Sequence, residues 1–159
     1  MQRITTLALL SLLATAAVAP AAYAEFTRED SYASSPEAVE LAFKQANEAV
    51  NAEKYGDAIM VLEELLESKP NHADALNLMG YSYRKKGDYN KAFKYYKLAL
   101  ENNPMHRGAN EYIGEAYLEQ GDLENAQKHL ATLKKACLLG CPELDKLQKA
   151  IDAFVQAKG

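Results

Sequence analysis

Residues 73–106 read ADALNLMGYSYRKKGDYNKAFKYYKLALENNPMH. Gly80, Tyr83, Ala92, Tyr96, Ala99 and Pro104 set small residues against large ones at helical spacing. The same marks recur on both sides at a period of 34 residues: Ala58, Ala92 and Ala126, then Pro70 and Pro104, then Gly80 and Gly114. A fixed period of that size signals stacked repeats and argues against one helical hairpin in an ordinary bundle. Gly80 falls inside a helical pattern, where it costs about 1 kcal/mol against Ala. That cost is tolerable where a neighbouring helix must approach closely. Ala92 and Ala99 are seven apart and share a helix face, so they admit a second helix while Tyr83 and Tyr96 fill the space around them. Gly87-Asp88 supplies a helix stop followed by an N-cap.

Leu76, Gly80, Tyr83, Ala92, Tyr96, Ala99 and Pro104 together resemble the tetratricopeptide repeat, with Leu76 in place of the Trp often found in the first slot. The resemblance implies an all-α, right-handed α-solenoid whose first helices line a concave groove. It implies a non-catalytic module that binds a peptide or protein partner there. The repeats are expected over about 39–72, 73–106 and 107–140. The first is degenerate, with Ala42 and Ala46 in the slots of Leu76 and Gly80 and the turn Glu53-Lys54-Tyr55-Gly56-Asp57 less sharply punctuated. The third keeps Gly114, Tyr117, Gly121-Asp122, Ala126 and Leu130 in register but has Leu133 in the slot of Ala99 and no Pro matching Pro104. Atypical terminal units are expected of a solenoid.

A last helix is expected over about 142–157, with Leu144, Leu147, Ile151 and Phe154 on one stripe. It reads as a cap over the open apolar face of the third repeat, the alternative being a partner-binding amphipathic helix. At the other end, Ser35-Pro36-Glu37 opens a helix with an N-cap, a first-turn Pro and an acid near the positive end. The domain is thus expected over 36–159, preceded by a polar leader over 25–35.

Residues 1–24 read as a signal peptide. Arg3 precedes an apolar stretch from Ile4 to Val18, Pro20 breaks it, and Ala22-Tyr23-Ala24 has the small-x-small form of a cleavage site. Cleavage is expected between Ala24 and Glu25; a retained membrane helix is the competing reading. The brevity and alanine content suggest bacterial export to the periplasm or beyond, with no stable membrane anchor after cleavage. The formal net charge of −4 becomes more negative once Arg3 is removed. That balance argues against nucleic acid or an anionic lipid surface as the main partner. Arg84-Lys85-Lys86, with Lys91, Lys94 and Lys97 near by, is a local basic cluster; the last three fall on the second helix of the repeat, whose outer face is expected to be solvated.

Cys137 and Cys141 are the two cysteines. In an exported chain an even count suggests a disulfide, and Gly140 and Pro142 place the pair at a helix–helix corner. Two free buried thiols are the alternative. The C-x3-C spacing does not match a redox or haem motif, and His72, His106 and His129 are too scattered to complete a zinc site. No phosphate loop, nucleophile–base pair or metal-ligand cluster is present in the sequence, so no enzyme activity, cofactor or metal is expected.

The groove the resemblance implies is graded. Phe43, Asn47 and Val50 face it from the first repeat, Asn77, Tyr81, Arg84 and Lys85 from the second, and the row Glu111, Glu115 and Glu119 from the third. For each residue the competing reading is a solvated helix face, with Arg84 or Lys85 pairing across to Glu111 or Glu115. The carboxylate clamp of chaperone co-factors in this family is not matched: its basic slots hold Phe43, Gly108 and Tyr112. The function expected is a scaffold or assembly factor in the bacterial envelope. The alternatives are a structural protein that forms a homo-oligomer and an accessory subunit of an envelope enzyme or secretion complex.

Overall fold

The computed structural model describes residues 35–158; the expected signal peptide and the leader up to residue 34 lie outside the described residues. Among the described residues there are seven helices and no strand: α1 (Pro36–Asn51), α2 (Tyr55–Ser68), α3 (Ala73–Lys85), α4 (Tyr89–Asn102), α5 (Arg107–Glu119), α6 (Leu123–Ala136) and α7 (Pro142–Lys158). Each odd helix pairs with the even helix that follows it, and each hairpin leans on the next. The chain is a helical solenoid of three hairpins closed by α7.

The helix boundaries follow from local chemistry. The Ser35 hydroxyl accepts a hydrogen bond from the Ala38 amide, and Pro36 opens α1. Gly87 and Gly121 adopt positive φ, and the next residues, Asp88 and Asp122, cap α4 and α6. In the first hairpin Glu53 takes the left-handed conformation instead, and Lys54 offers no side-chain cap. That is the physical content of its weaker punctuation. The two inter-repeat turns share a device the sequence reading missed: His72 and His106, themselves 34 residues apart, accept the Ala75 and Ala109 amides through Nδ1 and cap α3 and α5. Buried Asn110 ties the second of these turns down, donating to the Pro104 and His106 carbonyls.

The small residues of the repeat sit where helices touch. Ala58, Ala92 and Ala126 are fully buried. Gly80 is covered by the ring of Tyr96, from the second helix of its own hairpin. Gly114 is covered by Leu147 of α7. The cap therefore occupies the position that the first helix of a fourth repeat would take, which is why it is held by α5 as well as α6. Leu147 and Ile151 close a core with Leu118, Ala126, Leu130 and Leu133.

Candidate functional site

Helices α1, α3, α5 and α7 stand side by side, because each meets the next odd helix as well as its own partner. The face they share carries most of the residues singled out in the sequence. Its centre is a row of three tyrosines from three hairpins, Tyr81 on α3 and Tyr112 on α5 with Tyr55 reaching them from the start of α2. Tyr55 meets Tyr81 edge-on with ring centroids 6.3 Å apart, and Tyr81 meets Tyr112 at 4.9 Å. The three tyrosines do not stand 34 residues from one another, so the repeat pattern gives no hint that they form a row.

Arg84 lies between two of the rings. Its guanidinium carbon is 5.6 Å from the centroids of both Tyr81 and Tyr112. Nη2 donates to Glu115 at 2.8 Å, Nη1 donates to the Tyr112 carbonyl at 3.3 Å, and Glu119 stands 3.9 Å away. The side chain is only 7% exposed. Burial opposes its charge, but Tyr96, Glu115 and Glu119 outweigh it and hold the group protonated above its ordinary range. Arg84 thus fixes the spacing of α3 and α5 and is not a free cation. Lys85 is exposed, with Nζ 5.9 Å from the Tyr81 ring, and offers the mobile positive charge of this face.

The acidic row is divided three ways. Glu119 is 45% exposed, Glu115 is committed to Arg84, and Glu111 is buried. The Glu111 carboxylate lies under α7, 3.4 Å from Lys146 Nζ. Burial pushes its pKa up to about 7; Lys146 opposes the shift and Glu115 adds to it. Even spacing along α5 had made the three acids look alike.

The remaining residues sit apart. Phe43 packs against the core and its ring is 5.4 Å from that of His72. Asn47 donates back to the Phe43 carbonyl of its own helix, and Val50 packs on the core. Asn77 opens instead onto a polar recess of about 430 Å³, shared with Asp74, His106, Gly108, Glu111 and Tyr112. His106 donates through Nε2 to Asp74 at 2.9 Å, since its Nδ1 is accepting from Ala109.

Cys137 and Cys141 are joined at the α6–α7 corner with Cα atoms 5.7 Å apart, within the range a disulfide spans. Between them Leu138 and Leu139 are fully solvent-facing. Among the described residues, no helix is long and apolar enough to cross a membrane, and no group of His, Cys, Asp or Glu is placed to hold a metal ion.

The tetratricopeptide repeat family model matches residues 43–104 and 78–136, more than half of the chain. No curated protein matches it in sequence. Solved structures share the fold. One is the Yersinia enterocolitica type III secretion chaperone SycD in complex with a peptide of the translocator YopD, at 20% identity and TM-score 0.66 over 77% of this chain and 93% of that one. Another is the Sgt2 domain from Aspergillus fumigatus, at 20% identity and TM-score 0.69 over 78% and 80%. A third is the first such domain of human RPAP3, at 18% identity and TM-score 0.64 over 77% and 99%.

Proposed function

The chain belongs to the tetratricopeptide repeat family, and from that premise we propose that the face shared by its odd helices binds a segment of a protein partner without doing chemistry on it. One observation carries this reading: the row Tyr55, Tyr81 and Tyr112, with buried Arg84 held between the last two rings and exposed Lys85 and Glu119 at its edge. Rigid aromatic side chains anchor partners at low entropic cost, and a half-buried row with charged edges fits an extended or helical segment. Of the other residues singled out in the sequence, Glu115 borders the row through its bond to Arg84, whereas Phe43 and Asn47 on α1, Asn77 on α3 and buried Glu111 on α5 lie apart from it. The peptide carried by the SycD structure supports the reading by analogy of fold.

Tyr81→Ala combined with Lys85→Glu is expected to weaken partner capture by about tenfold or more, the scale of a lost hot spot. Tyr81 is half-buried and Lys85 exposed, so the fold should persist. Crosslinking in the native envelope with mass spectrometry identifies the partner, and titration of that partner against the variant gives the change. Unaltered affinity would remove this face as the site.

The process proposed is scaffolding or assembly in a bacterial envelope. It is supported by the signal-like residues 1–24 and by the cysteine pair, whose disulfide would form on export. The protein recovered from the periplasmic fraction should begin at Glu25 and contain no titratable thiol. Reduction should lower its stability by about 2 kcal/mol or less, because the closed loop is short. An intact Met1 terminus, or two free thiols, would count against export and against the bond respectively. Self-association is a second reading, favoured by the exposed Leu138 and Leu139. Light scattering separates the two, since a monomer at micromolar concentration excludes it.

A further inference from the structure

The two ends of the stack are not alike. At the far end α7 covers the third hairpin, whereas the first hairpin packs against the second on one side and is open on the other. Terminal units of a solenoid ordinarily present a polar outer face. Here a groove of about 260 Å³ lies between the first turns of α1 and the last turns of α2. Ala38, Leu41, Ala42, Val61 and Leu65 line it, together with Glu64. Leu41 is 51% exposed.

The opposite end carries a protrusion. Leu138 and Leu139 are consecutive and fully solvent-facing, in a corner closed by the Cys137–Cys141 bond. Gly140 takes positive φ there and donates to the Cys137 carbonyl, and Pro142 opens α7. A corner held in one shape loses little conformational freedom when it seats against another surface. Single exposed apolar residues are ordinary, but two side by side on a fixed corner make a ready apolar contact.

Protrusion and groove lie on one edge of the stack. Neighbouring helices alternate in direction, so the starts of odd helices and the ends of even helices fall together. The corner follows the end of α6, and the groove lies at the start of α1 and the end of α2. A shift along the stack, without turning the molecule over, brings the corner of one copy towards the groove of the next.

Charge favours the same pairing. Residues 36–69 carry eight acids and three lysines, whereas residues 123–158 carry six lysines and four acids. On the helix turns that form the groove, Glu64 is joined by exposed Glu37 and Glu67. Of the lysines there, Lys44 is 3.9 Å from Glu48, and Lys69 stands past the end of α2. Lys134 and Lys135 are exposed in the last turn before the corner, with exposed Asp145 in the turn after it. Two like ends would repel each other, and two unlike ends attract.

We propose that the chain associates head to tail with a second copy, Leu138 and Leu139 of one molecule seating in the α1–α2 groove of the next. The proposal rests on the self-association reading above and names its surfaces. Because the two surfaces differ and lie at opposite ends, each pair of copies keeps one of each free. Association therefore propagates from copy to copy and does not stop at a two-fold dimer. The apolar contact is small, so the affinity should be weak, about micromolar. The tyrosine row is part of neither surface, and a partner segment can be held there at the same time.

The test is sedimentation equilibrium of the protein recovered from the periplasmic fraction, with two double variants at exposed positions. Leu41→Glu/Gln45→Glu spoils the groove, and Leu138→Asp/Leu139→Asp spoils the corner. Circular dichroism shows that each keeps its helices. The weight-average mass of the parent should rise with concentration past that of a dimer. Each variant alone should associate at least about tenfold more weakly. Mixed in equal amounts they should form a dimer that grows no further, since one keeps the corner and the other keeps the groove. A mixture that stays monomeric overturns the proposal, as does a variant that associates like the parent. The two readings fail separately. A parent that associates while both variants match it loses this interface and keeps self-association. A parent monomeric throughout the micromolar range loses both and leaves the groove to another occupant.

Discussion

Gly80→Ala should destabilise the protein by about 1–3 kcal/mol, the scale of an overpacked core, although Ala is worth about 1 kcal/mol more than Gly in a helix interior. The new Cβ would lie 2.6 Å from Cδ1 and 2.7 Å from Cε1 of Tyr96. Those are ring atoms near the root of a fully buried side chain. Tyr96 has little room to swing aside, because it is fully buried and its ring neighbours that of Tyr112 with centroids 6.5 Å apart. Moving it would disturb the tyrosine row as well as the core. Gly114→Ala is the contrast. Its Cβ would meet the two terminal methyls of Leu147 at 2.6 and 2.8 Å, the free end of a flexible side chain on the last helix. Small movements of α7 relieve that contact, so the loss there should be smaller. Urea unfolding midpoints of the two variants check the order. The double variant Gly80→Ala/Tyr96→Leu should lose less than the sum of its parts, because the smaller side chain vacates the contested space. An additive result would mean that the ring is not what the glycine accommodates.

Glu111→Gln should stabilise the protein above neutral pH and change it little in acid. The folded chain raises the Glu111 pKa from 4.5 to about 7, chiefly by burial, with Lys146 offsetting part of the cost and Glu115 and Glu143 adding to it. A raised carboxyl pKa means that the folded state holds the proton more tightly than the unfolded state. Stability from this group is therefore fully present below about pH 4.5 and is lost as pH rises towards 7. A shift of that size corresponds to at most about 3 kcal/mol. Glutamine keeps the shape and one acceptor oxygen and removes the charge, so the loss should vanish. Lys146 is 58% exposed and tolerates losing its partner in water. Unfolding midpoints at pH 5 and pH 8 for both proteins give the difference directly. A Glu111→Gln protein less stable than the parent at pH 8 would show that the Lys146 pair outweighs desolvation.

The two effects show what the sequence could and could not carry. Gly80 was legible as a point of close approach, because glycine inside a helical pattern needs a reason. Which group makes that approach differs between repeats. Tyr96 comes from the same hairpin in the second repeat, and Leu147 comes from the cap in the third. The histidine caps were also within reach of the sequence, since His72 and His106 keep the period, yet histidine is not among the usual capping residues. The acidic row of α5 was legible as a row and nothing more. Spacing of four residues fixes a shared helix face, whereas exposure depends on what covers each turn of that face.

The sequence alone determined the all-helical class, the three-hairpin repeat and the glycine and alanine contacts. These are local or periodic properties, set by backbone preference and by residues at a constant interval. The tertiary structure alone decided that Arg84 is buried between two tyrosines, that Glu111 lies beneath the cap, and that Asn77 and Glu143 meet at one recess. Each of those depends on side chains from different hairpins arriving at the same place. Burial and charge there are set by distances across the stack, which no interval along the chain encodes.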